Sequence, residues 1–521
     1  MKSNSKILWI ISTLIVLVIL SIHMESMLSI LRPSNEVWKH IREHLLFGYT
    51  VNTVSIVFVS MISTGIIGTL SAYLVTCFDF PGRKILAVAL YLPLAIPPYI
   101  MAYVYFNMLG PFGLFHQLFG IIPPTTPFSN AALIFSLSLF PYVYIGVSGF
   151  IRQGMTTHIE NARLLKKNER QIFIQVVLPI AKLAILTGMV LVGLEVLGDF
   201  AALQYLGVNT FATAIFRSWI VFRDFDSALR LSGIAMLSVF SLLVMKGFFM
   251  RAMNVTATNA KAGRMGRKQL QGKHRIFPVV FLSLIVIFSF VLPLYRLITW
   301  AVSSFGNVRL ANLSSMLFNS TVIAFAVTLL ILLLAIIIAT STRKAPKFIG
   351  VFYGKVTLIS YALPGAIIAM VTLFFFIQID RFFPFVITTT IIALIVGYVI
   401  RFLGLAYENV EDGYKKIGFR HHEAARTLGK GYFKTLLTVD IPMLKPFLIS
   451  SIALVFIDLV RELPVTLVLR PFNYHTLATQ VYQYASDERL AESAVPSLII
   501  VAISLIFIII LLNNRRSNQP S

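Results

Sequence analysis

Four carboxylates stand out as the residues of this sequence best suited to chemistry. Glu195 and Asp199 lie four apart in an apolar stretch, and so do Asp458 and Glu462. On a helix that spacing puts both members of a pair on one face. Each pair is offset from the other by the same 263 residues (458 − 195 and 462 − 199), so they hold equivalent positions in two halves of the chain. Ionisable groups in such surroundings are costly, and they face a cavity or a partner. Four oxygen ligands around a two-fold path suit a hard trivalent cation held in transit. The alternative is that they pair with Arg461, Arg470 or a neighbouring helix and only hold the packing.

Two other patterns carry less. His40-Ile-Arg-Glu43-His44 spells an inverted zinc-peptidase motif, but nothing around it supplies a third ligand, so an amphipathic surface helix is expected. Gly350 to Val356 resembles a phosphate loop with one residue too few between its glycines and valine after Lys355. His421 and His422 are expected to be solvated.

The elements that position the carboxylates follow from composition. The 521 residues are 57% hydrophobic and only 12% charged, with a mean hydropathy of +0.84. Soluble domains carry about 25% charged residues. The chain therefore reads as an all-α polytopic membrane protein, one that lives in the bilayer. Spanning helices of about 20 residues are expected near 7–24, 51–77, 84–109, 131–151, 183–205 and 231–250. A second set is expected near 276–300, 320–341, 350–376, 384–406, 447–469 and 495–512. The first is read as a retained span, since no small-residue cleavage site follows it. Most of the 44 lysines and arginines fall in the loops that share a side with both termini. The positive-inside rule then places both ends in the cytoplasm. The net charge of +23 belongs to topology, and no nucleic-acid partner is expected. The lone Cys77 allows no disulfide within the chain.

The chain repeats itself. Ala95-Ile96-Pro97-Pro98 aligns with Ala362-Leu363-Pro364-Gly365, and Thr210 to Thr213 with Thr476 to Thr479. Residues 1–250 form a first six-span unit and 276–521 a second, parallel to it. A basic linker, 251–275, joins them on the inner face. Two polar inner segments, Glu160 to Pro179 within loop 152–180 and Glu423 to Pro442 within loop 407–445, have identical length. The second reads as a short helix stopped at Gly429, a turn and an amphipathic stretch that leads into the next span at Pro442, and the first looks like a worn copy of it.

Glu423-Ala424-Ala425, then Gly429, then Val-Asp-Ile-Pro442 resembles the coupling motif of ABC-type importer permeases. The resemblance implies that this helix docks in a groove of a separate cytoplasmic ATP-binding subunit. In the first unit Glu160, Ala162 and Pro179 match, whereas Asn161 replaces an alanine and Lys166 stands at the glycine position. Arg461 to Ser497, with ELPVTLVLRPF, TLAT and ASDERL, is similar to ferric-iron permeases of the fused two-unit kind. So is Leu197 to Trp219. The resemblance implies a bacterial cytoplasmic-membrane permease with no bond chemistry and no permanent cofactor. A dimer of ATP-binding subunits would use the ATP, and an external binding protein would deliver Fe(III). Thiamine, phosphonate and polyamine permeases share the broad pattern. An ion-coupled secondary transporter would also have twelve spans, but it would not need the matched inner segments.

Overall fold

The computed structural model describes residues 4–111, 113–252, 266–307, 310–343, 345–382, 384, 386–418 and 420–517. Most of the linker, 253–265, lies outside them. The described chain consists of helices and their connections, apart from two two-residue strands, Phe78–Asp79 (β1) and Lys268–Gln269 (β2), which pair in parallel. Among the described residues ten helices are long and apolar enough to cross a bilayer, and two bent helix pairs bring the candidate spans to twelve. Each unit contributes five of the ten and one bent pair.

The elements used below are, in the first unit, α1 (Asn4–Ser29), α2 (Leu46–Cys77), α3 (Arg83–Ala89), α4 (Pro98–Leu109), α5 (Pro127–Gly154), α6 (Thr156–Leu164), α7 (Leu178–Gly198) and α8 (Ala201–Leu206). In the second unit they are α9 (Leu310–Thr342), α10 (Lys347–Ala362), α11 (Gly365–Asp380), α12 (Ile391–Ile417), α13 (Arg420–Thr427), α14 (Ile441–Arg461) and α15 (Pro464–Leu469).

Two of the expected spans, 84–109 and 350–376, are not single helices. The chain turns by 94° between the α3 arm and α4, and by 111° between α10 and α11. The cause is local. A residue before proline is pushed out of the helical region, and Ile96 and Leu363 are both extended. Pro97 and Pro364 follow with ψ of 146° and 140°. Unpaired backbone at membrane depth is tolerated only inside protein or beside a cavity, and here arginines satisfy it. Arg401 donates to the carbonyls of Tyr361 and Leu363. Arg461 donates to Leu94 O at 3.0 Å. Tyr361 and Leu94 are equivalent positions of the two breaks.

One further expectation needs correction. Spans 183–205 and 447–469 end early, at Gly198 and Arg461, and short separate helices follow them. The amphipathic stretches after the inner turns lead into the next span, as expected. Glu169–Gly198 and Tyr432–Arg461 each run on without a break, through one π-helical turn at Phe173–Val177 or Leu436–Asp440. Pro179 and Pro442 sit just after those turns, where the missing proline N–H would interrupt an α-helical ladder.

The units are interlocked. Ser12 of α1 donates to Ser341 at 2.8 Å, and Thr13 bonds the Tyr353 hydroxyl at 2.8 Å, both in the second unit. In return, Arg296 from the first span of the second unit donates to Asn107 of α4 at 3.0 Å. Within the first unit α2, α5 and α7 meet at Val143. A Cβ on Gly68 would fall 2.7 Å from Val143 Cβ, and one on Gly188 2.8 Å from Val143 Cα. Small residues permit such close approach where water supplies no hydrophobic drive. On the other side of α2, Val54, Phe58, Ile62 and Ile66 form an exposed stripe with four-residue spacing, as a lipid-facing surface requires.

Candidate functional site

All four carboxylates line one cavity of about 100 Å³ between the units. Its position follows from helix length. Glu195 is 17 residues beyond Leu178, and a rise of ~1.5 Å per residue puts it roughly 25 Å from the inner loops. The pairs are not both helical, contrary to the spacing argument. Asp199 and Glu462 stand one residue past the ends of α7 and α14 and cap the short helices that follow. Asp199 accepts from Ala202 N–H at 2.8 Å, and Glu462 from Val465 N–H at 3.2 Å. These are equivalent bonds, which explains a carboxylate at both places without any substrate.

The other two differ between units. Asp458 is ion-paired with Arg461, whereas Glu195 accepts from the Tyr142 hydroxyl at 3.4 Å. Arg470 does not take part, and instead donates to Tyr474 O and contacts His475. Arg401 and Arg461, both on the cavity wall, correspond to Ser138 and Gly198 of the first unit. The cavity is thus asymmetric, with four carboxylates against two arginines. Among the described residues no three His, Cys, Asp or Glu side chains converge as a metal ligand set. Tyr99 Oη, Ser138 Oγ and Arg401 Nε are buried there without hydrogen-bond partners in the structure.

Sequence reasoning missed Arg401, Tyr99 and Tyr142. A signal existed for the first, since an arginine within YVIRFLGLAY is as anomalous in lipid as the carboxylates are.

At the other end of α7 and α14 the inner segments form matched motifs. Helix α6 closes with Lys166 N–H to Arg163 O at 2.9 Å and Lys167 N–H to Ala162 O at 3.2 Å. Helix α13 closes with Gly429 N–H to Arg426 O at 3.1 Å and Lys430 N–H to Ala425 O at 3.2 Å. All four donors and acceptors are related by the same offset, a double C-cap in which one residue is left-handed. Gly429 has φ 79° and Lys166 φ 59°. The lysine therefore adopts the glycine's conformation, at a cost of about 1 kcal/mol. Lys166→Gly is expected to raise the stability of the solubilised chain by about that amount, and Gly429→Lys to lower it, as read by thermal unfolding in detergent.

The first-unit departures fall where the fold permits them. Ala162 and Ala425 are buried, while Asn161 and Ala424 are exposed, so the small residue is kept only where the helix packs. Glu160 and Glu423 are both exposed. Leu165 and Leu428, equivalent again, are 74% and 81% exposed. The expectation that His422 is solvated was wrong. It is buried within α13 and bonds Asp440 at 2.8 Å, where the first unit has the buried pair Ile159 and Val177.

The weaker motifs resolve simply. His40 and His44 lie on a helical surface segment with ring centroids 5.1 Å apart and ring planes tilted by 52°. Residues 350–356 lie inside α10, which has no loop to cradle a phosphate.

Two helical units with matched inner loops and a charged cavity between them define a membrane permease. The chain belongs to the family of binding-protein-dependent transport system inner membrane components, whose model matches residues 64–254 and again 331–515. It is a multi-pass membrane protein of the kind found in bacterial inner-membrane transport systems, and members of the family work with ATPase and substrate-binding partners. The Fe(3+)-transport system permease protein FbpB 2 of Haemophilus influenzae is 24% identical over 443 residues, 84% of each chain. The sulfate transport system permease protein CysT of Salmonella typhimurium is 29% identical over 160 residues, 30% of this chain and 57% of its own. A putative 2-aminoethylphosphonate permease, PhnV of Salmonella paratyphi A, is 25% identical over 195 residues, 36% of this chain and 70% of its own.

Proposed function

We propose that this permease passes ferric iron through the four-carboxylate cavity by alternating access. A dimer of separate ATP-binding subunits docks at the Glu160 and Glu423 loops, and both termini lie in the cytoplasm. An external binding protein delivers the ion to the opposite face. The observation that carries the substrate is the excess of carboxylates in a cavity at the unit interface, an environment for a hard cation. The full-length similarity to a ferric-iron permease supports the same reading. The four carboxylates would act only as transient ligands, since two of them already cap helices and one is ion-paired.

A second reading rests on the cavity's donors. Arg401 and Arg461 with the Tyr99 hydroxyl could recognise an oxyanion such as a phosphonate, which fits the partial similarity to PhnV. Uptake of radiolabelled Fe(III) and of 2-aminoethylphosphonate by cells lacking the gene, with and without the restored chain, separates the two. Iron uptake restored alone supports the first reading; phosphonate uptake restored alone replaces it with the second.

A further inference from the structure

The linker between the units does more than span a gap. Within its described part, residues 266–270 lie between the first inner loop, which they meet through Gly266 and Lys268, and the end of α2. Gly266 N–H donates to Glu160 Oε1 at 3.2 Å, and Arg163 returns a bond to Gly266 O at 3.2 Å. Lys268 pairs with Glu169 at 3.0 Å, and the same carboxylate takes Arg163 at 3.4 Å. β2 pairs with β1 at the end of α2, Leu270 N–H extends the ladder to Asp79 O at 3.1 Å, and Arg163 also reaches Cys77 O at 3.3 Å.

The contacts join three parts of the chain: α6, the end of α2, and a strand that leads within a few residues into the first span of the second unit. The second unit is built differently. There Arg343, at the end of α9, reaches Gly418 O at 3.1 Å, and Arg426, the equivalent of Arg163, caps its own turn at Lys430 O. No linker strand touches α13 among the described residues.

We propose that residues 266–270 are a positioning element of the first inner loop. They clasp Glu160 and Arg163, so that displacement of α6 is carried directly to the second unit. Glu160 then serves as a hydrogen-bond acceptor for the linker, whereas Glu423 is left to face the partner subunit. This rests on the reading of the inner loops as ATPase docking sites. It also accounts for the drift of the first motif, because a loop held by a clasp depends less on the intrinsic alanine and glycine pattern.

The distinguishing property is that an acceptor needs an oxygen and not a charge. Glu160→Gln keeps the oxygen, Glu160→Ala removes it, and Gly266→Pro removes the donor. With the chain and its ATPase in proteoliposomes, Glu160→Gln is expected to retain severalfold more ATP-dependent Fe(III) uptake than Glu160→Ala. Glu160→Ala and Gly266→Pro should each lower it about fivefold, and the double variant no further than either single one. Amide hydrogen exchange of α6 should rise in the alanine and proline variants and not in the glutamine variant, whether or not uptake occurs. If Glu160→Gln behaves like Glu160→Ala, if the two losses multiply, or if Gly266→Pro leaves α6 exchange unchanged, the clasp is overturned. Absence of ATP-dependent Fe(III) uptake by the wild-type complex would instead count against the proposed function, in its substrate or its docking loops, and exchange would still decide the clasp.

Discussion

Asp458→Asn is expected to deplete the chain from the membrane fraction and to destabilise what remains by about 3 kcal/mol or more. The reason lies in Arg461. Its side chain is 20% exposed and that of Asp458 16%, and the two form an ion pair within the unit interface. Removing the carboxylate takes away the ion pair that the Arg461 guanidinium makes in a poorly solvated site, and stranding one partner of a buried pair costs far more than removing both. Arg461 has a second duty, its bond to Leu94 O at the first-unit break. The double variant Asp458→Asn/Arg461→Met loses that bond but carries no stranded charge, and should be recovered in larger amount than Asp458→Asn alone. Membrane abundance and thermal unfolding in detergent provide the comparison. Equal abundance of Asp458→Asn and wild type would show that the pair does not hold the interface together.

Glu195→Gln/Glu462→Gln is expected to lower Fe(III) uptake at least tenfold at unchanged abundance. Both amides keep an oxygen where the carboxylates accept from Tyr142 and Val465, so the helix cap and the side-chain bond survive. What is lost is two negative charges facing a cavity that also holds Arg401 and Arg461. Two charges a few ångströms from a trivalent ion amount to more than ~10 kcal/mol of direct Coulomb energy even at an effective dielectric constant of about 20, of which desolvation offsets most. The sign separates the substrates. A cation loses affinity when the charges go, while a phosphonate gains it. Radiolabel uptake of both, with chain abundance measured alongside, reads the outcome; stimulated phosphonate uptake would move the assignment to the oxyanion.

The helical architecture was legible because apolar length is dictated by the bilayer, and because the duplication left the same offset at Glu195 and Asp458 as at Glu160 and Glu423. The bends were visible only as Ile-Pro-Pro and Leu-Pro-Gly. Proline in a membrane helix is compatible with a continuous span, and what decides between a kink and a break of about 90° is a distant arginine that satisfies the freed carbonyls. The same long-range dependence hid the capping role of Asp199 and Glu462. Four-residue spacing says nothing about a helix that stops one residue short. The burial of His422 rests on Asp440, 18 residues away, and a polar pair replacing Ile159 and Val177 could be recognised only once both units were superimposed. The clasp needed contacts across about 100 residues, with no periodicity to announce them.

The most direct measurement is ATP-driven Fe(III) uptake by the purified chain with its ATP-binding subunit in liposomes, comparing wild type with Glu423→Ala. The account predicts uptake that requires both ATP and the external binding protein, and that falls to background in the variant while ATPase hydrolysis persists uncoupled. Wild-type uptake without ATP or without the ATP-binding subunit would contradict it, and would return the chain to the class of ion-coupled secondary transporters.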